Sequence, residues 1–484
     1  MAAQVNTGVG ELRALVDVLK STVDKLEETM ASRGQTYPSL NEPYSVESEA
    51  PRNTPDVLAL CDVLVNAAGQ LIAAARPTPT SSLLTALQFQ TSACIRAVIR
   101  THVAEILREA GPQGLHISEI AKPSGVEASK LARVLRLLAT NHIFKEVAPD
   151  VFAHNRISTI LDTGKSVAEI LKDPEAKHDG SSGMPALFEQ LSDYSMKAAS
   201  YMPETLLDPT AATTGKTAFN RAYNTELSSF EWLKQPENAY IHRRFNMAME
   251  GTAKMAIPWE VFDGFDWLSL PEKSLVVDVG GGVGSQTLML AKKFPQLNFV
   301  IQDTEATQPN AEKYWAARFP EAITSGRVQY QVHNFFDPQP ISSPAVYFMK
   351  NVLHDWSDNH CIAILRHLRD SAGPDTKLVI QENVMEYACE DSPLTNPGVS
   401  VSSATKAHPP PLLPNAGQAS LFTYYIDFVM MNTHGGIERT LPHFCELLAD
   451  SGWKAISLYK GPPGGRGKII AVPQRVGVQV AGML

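Results

Sequence analysis

The sequence predicts an α/β fold: a doubly wound, mostly parallel sheet in the C-terminal half, preceded by a helical domain that closes on a winged helix. Two observations carry the sheet. After Pro271, short apolar runs alternate with helical segments: LVVDV (275–279), NFVIQ (298–302), VQYQVH (328–333), AVYFMK (345–350), KLVIQE (377–382) and KIIAV (468–472). Strands alternating with helices form a parallel sheet covered on both faces. A glycine-rich loop follows the first strand, at the edge where such sheets bind ligands. A third observation carries the N-terminal half: its apolar residues recur at helical spacing, and one stretch reads helix, turn, helix, hairpin.

At 484 residues the chain is long enough for two or three domains, since one core seldom serves more than about 250–300 residues. Hydrophobic residues make up 44% and charged residues 19%, a globular balance that excludes a largely disordered chain. The 51 acidic residues outnumber 42 basic ones, for a formal charge of −9. This disfavours a nucleic-acid or anionic-membrane partner, because phosphate binding is driven by Lys and Arg. Cys61, Cys94, Cys361, Cys389 and Cys445 are scattered, with no CxxC or Cys/His pair at zinc spacing, so free thiols and no metal are expected. Glu11, Arg13, Asp17 and Lys20 stand where a signal peptide needs an apolar run. The most apolar early stretch, 57–75, is broken by Asp62, Asn66 and Gln70 and is expected not to span a membrane. A soluble cytoplasmic protein is the expectation.

Residues 11–30 set Leu12, Val16, Leu19, Val23, Leu26 and Met30 four and three apart. This is an amphipathic helix with one apolar seam, packed on its own domain or exchanged with a second subunit. Residues 31–55, rich in Ser, Pro, Glu and Asn, read as a surface linker. Helical patterns resume over 55–76 and 83–110. Further on, Leu131, Val134, Leu135 and Leu138 form one helical face after a turn at Pro123–Gly125, and alternation around Pro149–Asp150 predicts a hairpin. The second helix of this winged-helix pattern offers only Lys130, Arg133 and Arg136 as cations, too few for a DNA reader. A structural or dimer-forming role is expected. The N-terminal domain is set at 1–215 and the C-terminal domain at 216–484, with a Pro- and Ser-rich loop insertion at 388–418.

The run LVVDVGGGVGSQTLMLAKKFPQLNFVIQD (275–303) carries the strongest chemical signal. A buried strand reaches Asp278, a loop carries Gly280, Gly281, Gly282 and Gly284, and a helix starts near Ser285. Glycines let the backbone pass close to a ligand. Asp303 ends the next strand, at the spacing where a carboxylate accepts from ribose hydroxyls. The pattern Asp278-x-Gly280-x-Gly282-x-Gly284 lacks the two-residue gap of the dinucleotide fingerprint, and no Gly-Lys-Ser/Thr follows it. An acidic strand end suits a ligand with a cationic amino-acid portion, which points to S-adenosyl-L-methionine. A dinucleotide site and a plain tight turn are the alternatives.

Residues 345–361, AVYFMKNVLHDWSDNHC, place a strand end near Lys350 and a helix start at Ser357, so His354 falls at the carboxyl end of a strand. Asp355 and Trp356 adjoin it. Glu382, closing KLVIQE, and Glu438, in HGGIERT, fall in comparable places. An imidazole takes up a proton near neutral pH. A carboxylate bonded to its other nitrogen fixes the tautomer and stabilises the imidazolium.

From DVGGGVG through the strand-terminal QD to FMKNVLHDWSD and GGIERT, the chain resembles the fungal sterigmatocystin-type and plant caffeic-acid-type O-methyltransferases. The likeness covers most of the chain from about residue 100 onward. It implies a Rossmann-like class I methyltransferase domain behind an N-terminal dimerisation domain, hence a homodimer, using S-adenosylmethionine without a metal. His354 would be the general base on a phenolic hydroxyl, flanked and oriented by Glu382 and Glu438, with Asp355 helping at the substrate. Gly280 and Asp303 would bind the methionine portion and ribose of the cofactor. Lys350 would lie near the adenine and Phe335 against its face. Asn334 stands where the family often has Asp, and would accept from the adenine amino group without the charge.

The acceptor pocket is expected to draw on Phe245, Met247 and Met249, on Trp356, and on Phe428, Met430 and Met431; Met-rich walls adapt to flat aromatic guests. By family analogy the guest is a multi-ring phenol of fungal polyketide type. Relatives that keep the cofactor as a fixed cation and catalyse a dehydration or pericyclic rearrangement tend to lose the His/Asp pair, which this chain keeps.

Overall fold

The computed structural model describes residues 8–255, 257, 259–389, 398–403, 408–462 and 465–474. The chain divides into two compact units at Ala256/Ile257, with Met431–His434 grouped with the first. The boundary expected at 215 falls short of this one. Helices Ala218–Tyr223, Ser229–Leu233 and Ala239–Met255 bury aromatic and small side chains within the first unit: Phe219 and Leu233 beside Tyr194, and Ala248 beside Met184 and Leu187. Arg244 is buried there too, donating to Gln190, Glu189 and Asp193.

In the first unit, helix α1 (Gly8–Ser32) lies along helix α2 (Pro55–Ala75). The buried stripe is Leu15, Thr22, Leu26 and Met30, so the expected seam is rotated: Val16 and Val23 are 49% and 50% exposed. A helix resting on one neighbour covers only a narrow stripe of its surface. Helix α2, despite Asp62, Asn66 and Gln70, is long and apolar enough by composition to cross a membrane; within the fold it buries Val57, Asn66 and Ala67.

The 31–55 segment is not a free linker. Val46–Glu49 forms a helical turn closed by a capping box from Ser45. The buried guanidinium of Arg156 bonds the Glu49 carboxylate, Ser48 Oγ and the Pro43 carbonyl, and the Arg156 N–H donates to Leu40 O. The expected 83–110 helix is broken into Thr78–Leu87, Phe89–Arg100 and Val103–Ala110, with His102 left-handed between the last two. The winged helix forms as expected, with helix Ala128–Thr140 and the hairpin Lys145–Ala148/Val151–Ala153 closing over Leu131, Leu135, Leu138, Phe144 and Phe152. Its Arg136 is committed to Glu146 and Asp150.

The second unit is built on eight strands: β1 (Leu275–Val279), β2 (Asn298–Asp303), β3 (Val328–Val332), β4 (Val346–Lys350), β5 (Lys377–Glu382), β6 (Ser400–Ser403), β7 (Trp453–Lys460) and β8 (Gly467–Pro473). Their spatial order is β6-β7-β8-β5-β4-β1-β2-β3, and β8 alone runs against its neighbours. Two strands were not expected. β7 alternates lysine and serine with apolar residues, which dilutes its signal. β6 lies in the expected 388–418 insertion and pairs with β7 from Ser400↔Ser457 onward, fully on the edge; 390–397 and 404–407 of that insertion lie outside the described residues. Successive strand residues face opposite sides, so Val277, Tyr347 and Leu378 enter one core layer and Val276, Phe348 and Val379 the other. The topology brings Asp278, Asp303, Lys350 and Glu382 to one edge, at the carboxyl ends of β1, β2, β4 and β5.

Glu49→Ala leaves Arg156 buried without its ionic partner. The expected loss is about 1–3 kcal/mol in denaturant unfolding, below the figure for a fully buried pair because Glu49 is partly exposed. Amide exchange across residues 40–50 should also quicken relative to 128–140. Exchange that stays at the wild-type rate would mean the segment is held by other contacts.

Candidate active site

The glycine loop takes its shape from β2. The N–H groups of Gly280 and Gly281 both donate to Gln302 O, at 2.9 and 3.1 Å. Gly280 has a positive φ of 69°, and a Cβ there would stand 2.9 Å from Val352 Cγ2 and 3.6 Å from Phe335 Cε1. A side chain would fill the space over the loop. Gly282 N–H donates to Asp303 Oδ2 at 2.8 Å, while Thr304 N–H and Thr307 Oγ1 donate to Oδ1 at 2.8 and 3.0 Å. Thr304 Oγ1 also donates to Oδ1, at 3.4 Å, so room for a hydroxyl donor is on Oδ2, which accepts from Gly282 alone.

The other cofactor candidates are placed less uniformly. Asp278 is buried beneath Gly281 and accepts from Thr287 Oγ1 at 2.6 Å, so it supports the loop from below instead of facing out of it. Burial pushes its carboxyl up to about 6, partly offset by that hydrogen bond. Asn334 is exposed and its Oδ1 already accepts from Phe336 N–H at 3.2 Å. Phe335 meets Trp356 edge-on, with centroids 5.9 Å apart. Lys350 is pushed down to about 8, by burial first and the Arg466 guanidinium second, against the pull of Glu260 and Asp278. A bare Cα at Gly280, a carboxylate at the next strand end, an aromatic edge and a partly desolvated ammonium fit a nucleoside that carries an amino-acid tail.

His354 sits on a single 3-10 turn, Leu353–Asp355, just after β4. Its Nδ1 lies 2.8 Å from Glu438 Oε1, and since a carboxylate only accepts, Nδ1 carries the proton and Nε2 faces away from that partner. Asp355 Oδ1 lies 3.7 Å from Nε2, too far for a hydrogen bond and near enough to act through its charge. Glu382 makes no hydrogen bond to the ring. Its Oε1 accepts from the N–H groups of Val352 and Leu353, at 3.0 and 2.6 Å, so it holds the backbone that carries His354. Burial lowers the imidazole pKa, but Asp355, the Glu438 hydrogen bond, and the Glu438 and Glu382 charges outweigh it and raise the ring to about 10. Burial in turn pushes Glu382 up.

Several residues of this site were not singled out from the sequence. Asn383 Nδ2 donates to the same Glu438 oxygen as His354, at 3.0 Å, and Glu438 N–H donates to Asp427 Oδ1 at 2.9 Å. Glu260 is buried with Oε2 unpartnered, and Lys468 donates to the carbonyls of Glu260 and Val261, both at 2.9 Å. Adjacency to Glu382 marked Asn383; nothing local marks Lys468, a cation inside an apolar strand pattern.

The acceptor candidates are split. Trp356 is half-buried against Phe335, Phe336 and His360 in the second unit, which also holds Met430 and the 47% exposed Phe428. Phe245 belongs to the ring cluster around Tyr194, Met247 packs beside Met184, and Met249 is exposed; these and Met431 belong to the first unit.

Fold and site define a class I methyltransferase that uses S-adenosylmethionine. A family model described as the O-methyltransferase domain matches residues 204–407, and one described as the O-methyltransferase dimerisation domain matches 83–163. An O-methyltransferase of Armillaria gallica is 41% identical over 96% of this chain and 99% of its own length. The 4-O-methyltransferase 1 of Phanerochaete chrysosporium is 38% identical over 94% of this chain and 96% of its own. The chain belongs to the O-methyltransferase family. Among solved structures, the LepI complex with S-adenosylmethionine covers 95% of this chain and 100% of its own at 18% identity and TM-score 0.60. A pericyclic reaction enzyme shares the fold at TM-score 0.62 and 18% identity, over 95% of this chain and 100% of its own.

Asp355→Asn and Glu438→Gln each remove a negative charge from beside the ring, so each should lower the His354 pKa from about 10 toward the ordinary 6.5. Carbon-13 NMR titration of labelled histidine reads this directly. A ring that titrates unchanged in both variants would remove the electrostatic account.

Proposed function

We propose that this enzyme methylates a phenolic hydroxyl of an aromatic, polyketide-type metabolite, with His354 as the general base. The observation that carries the reading is the imidazole locked to Glu438 through Nδ1, with Nε2 left to accept a proton, two residues from the Val352 that covers Gly280. When bound, S-adenosylmethionine supplies an electrophilic methyl group on a sulfonium. Gly280, Asp303, Phe335 and Lys350 hold the nucleoside and its amino-acid tail at the carboxyl edge of the sheet, and Asp278 braces their loop. Trp356 and Met430 are acceptor contacts in the same unit. The dimerisation domain makes a homodimer the working assembly.

The work of the protein is then alignment and proton removal. Fixing the acceptor oxygen on line with the donor removes several kcal/mol of barrier. A neutral phenol is a weak nucleophile, and Nε2 takes its proton as the new O–C bond forms. An imidazolium near 10 and a phenol of similar pKa exchange that proton at little cost. The negative charges of Asp355 and Glu438 stabilise the imidazolium that results.

The test is methyl transfer to a panel of mono- and polycyclic phenols. His354→Ala should lose roughly 10²–10⁴ in kcat while still binding S-adenosylmethionine; full activity in that variant would overturn the base. Wild-type turnover that leaves S-adenosylmethionine unconsumed would favour a rearrangement instead of transfer.

The pH dependence has a fixed sign. With the folded ring raised to about 10, the neutral base is the minor form at pH 7. kcat/KM should therefore climb about tenfold per pH unit up to about pH 9. Asp355→Asn should move the break toward lower pH. A flat profile between pH 7 and 9 would contradict the protonated resting state.

A further inference from the structure

We propose that Arg439 is the positioning residue of the catalytic turn, setting the His354 ring against Glu438 by gripping the backbone on both sides of it. This rests on the reading of His354 as the base. Arg439 is wholly buried. Its Nη1 donates to Leu353 O at 2.9 Å and to Ile437 O at 3.2 Å; its Nη2 donates to Trp356 O at 2.8 Å. Nε and Nη2 share Asp358 Oδ1, at 2.9 and 2.8 Å. The carbonyls of Leu353 and Trp356 bracket His354 in the chain. A buried guanidinium persists only where its donors are matched, and here the matches are the turn itself and the first residue of the helix after it.

The grip has an opposing half. Glu382 accepts from the N–H groups of Val352 and Leu353, and Ile437 N–H donates to the His354 carbonyl at 2.9 Å. Gly436 makes that approach possible, because a Cβ there would run into the His354 carbonyl. Arg439 also begins the short strand Arg439–Thr440, which pairs in parallel with Val384–Met385 just beyond Glu382. Glu438, which bonds the ring, and Arg439, which bonds the turn, are therefore neighbours on one fixed segment. A lysine would keep the charge but lacks the planar fork needed to hold three carbonyls and a carboxylate together.

Arg439→Lys and the milder Asp358→Asn test this, on the full-length protein without cofactor, by the NMR titration of His354. Loosening the turn separates ring from Glu438, so the His354 pKa should fall by about one unit or more in Arg439→Lys and less in Asp358→Asn. With S-adenosylmethionine and the phenol turned over best by wild type, kcat should fall about 10–100-fold in Arg439→Lys, with the affinity for S-adenosylmethionine unchanged. A folded Arg439→Lys whose His354 titrates as in wild type would overturn the role of Arg439 alone, given an inactive His354→Ala. If Arg439→Lys does not fold, an unshifted ring in Asp358→Asn overturns it equally. Full activity in His354→Ala would instead remove the base, and with it the reason to position it.

Discussion

A largely buried imidazole loses much of its water and must recover the difference from its neighbours, and around His354 the recovery is electrostatic. Glu438 bonds one nitrogen, Asp355 faces the other, and Glu382 adds its charge from beneath the turn. Glu382 and Glu438 each keep one buried oxygen without a partner, an arrangement that is costly until a positive charge stands beside it. The surroundings are thus complementary to the protonated ring, the state that the proposed base would reach on taking a substrate proton. Charge placed in advance where charge will develop needs no reorganisation at the moment of reaction.

The parts of this site that were legible in the sequence are those fixed by local rules. Strand ends followed by glycines or short turns put Asp303, Lys350 and His354 on the carboxyl edge, and a parallel sheet can bring strand ends together in only a few ways. What a carboxylate does once there depends on the rotamer and on nearby backbone. Glu382 was legible as a neighbour of His354, but not as an acceptor for Val352 and Leu353. Asp278 was legible as a strand-end acid, but not as a brace under Gly281. β7 and β6 carry weak apolar runs, β7 because lysine and serine interrupt it inside the sheet and β6 because it is a short, polar, exposed edge strand. The division at Ala256/Ile257 differs from the expected 215 because the apolar pattern of helices 218–255 does not say which body they join.

The same fold serves a pericyclic reaction enzyme, so architecture does not select the chemistry. Selection falls to a handful of side chains at one edge of the sheet. The candidates here are an imidazole, the carboxylates that keep it charged, and a glycine loop packed against Val352, just before the turn that carries His354. Membership of the O-methyltransferase family and the chemistry of those side chains agree.

Glu382 and Arg439 hold the segment around His354 by its peptide groups, leaving the half-buried side chain of Trp356 out of the grip. Amide and carbonyl groups are the same whatever residue bears them. Mutation at Trp356 can therefore change the side chain beside the turn without releasing the peptide groups that fix His354. Such a division lets selectivity drift among relatives while the backbone that carries the imidazole stays in place.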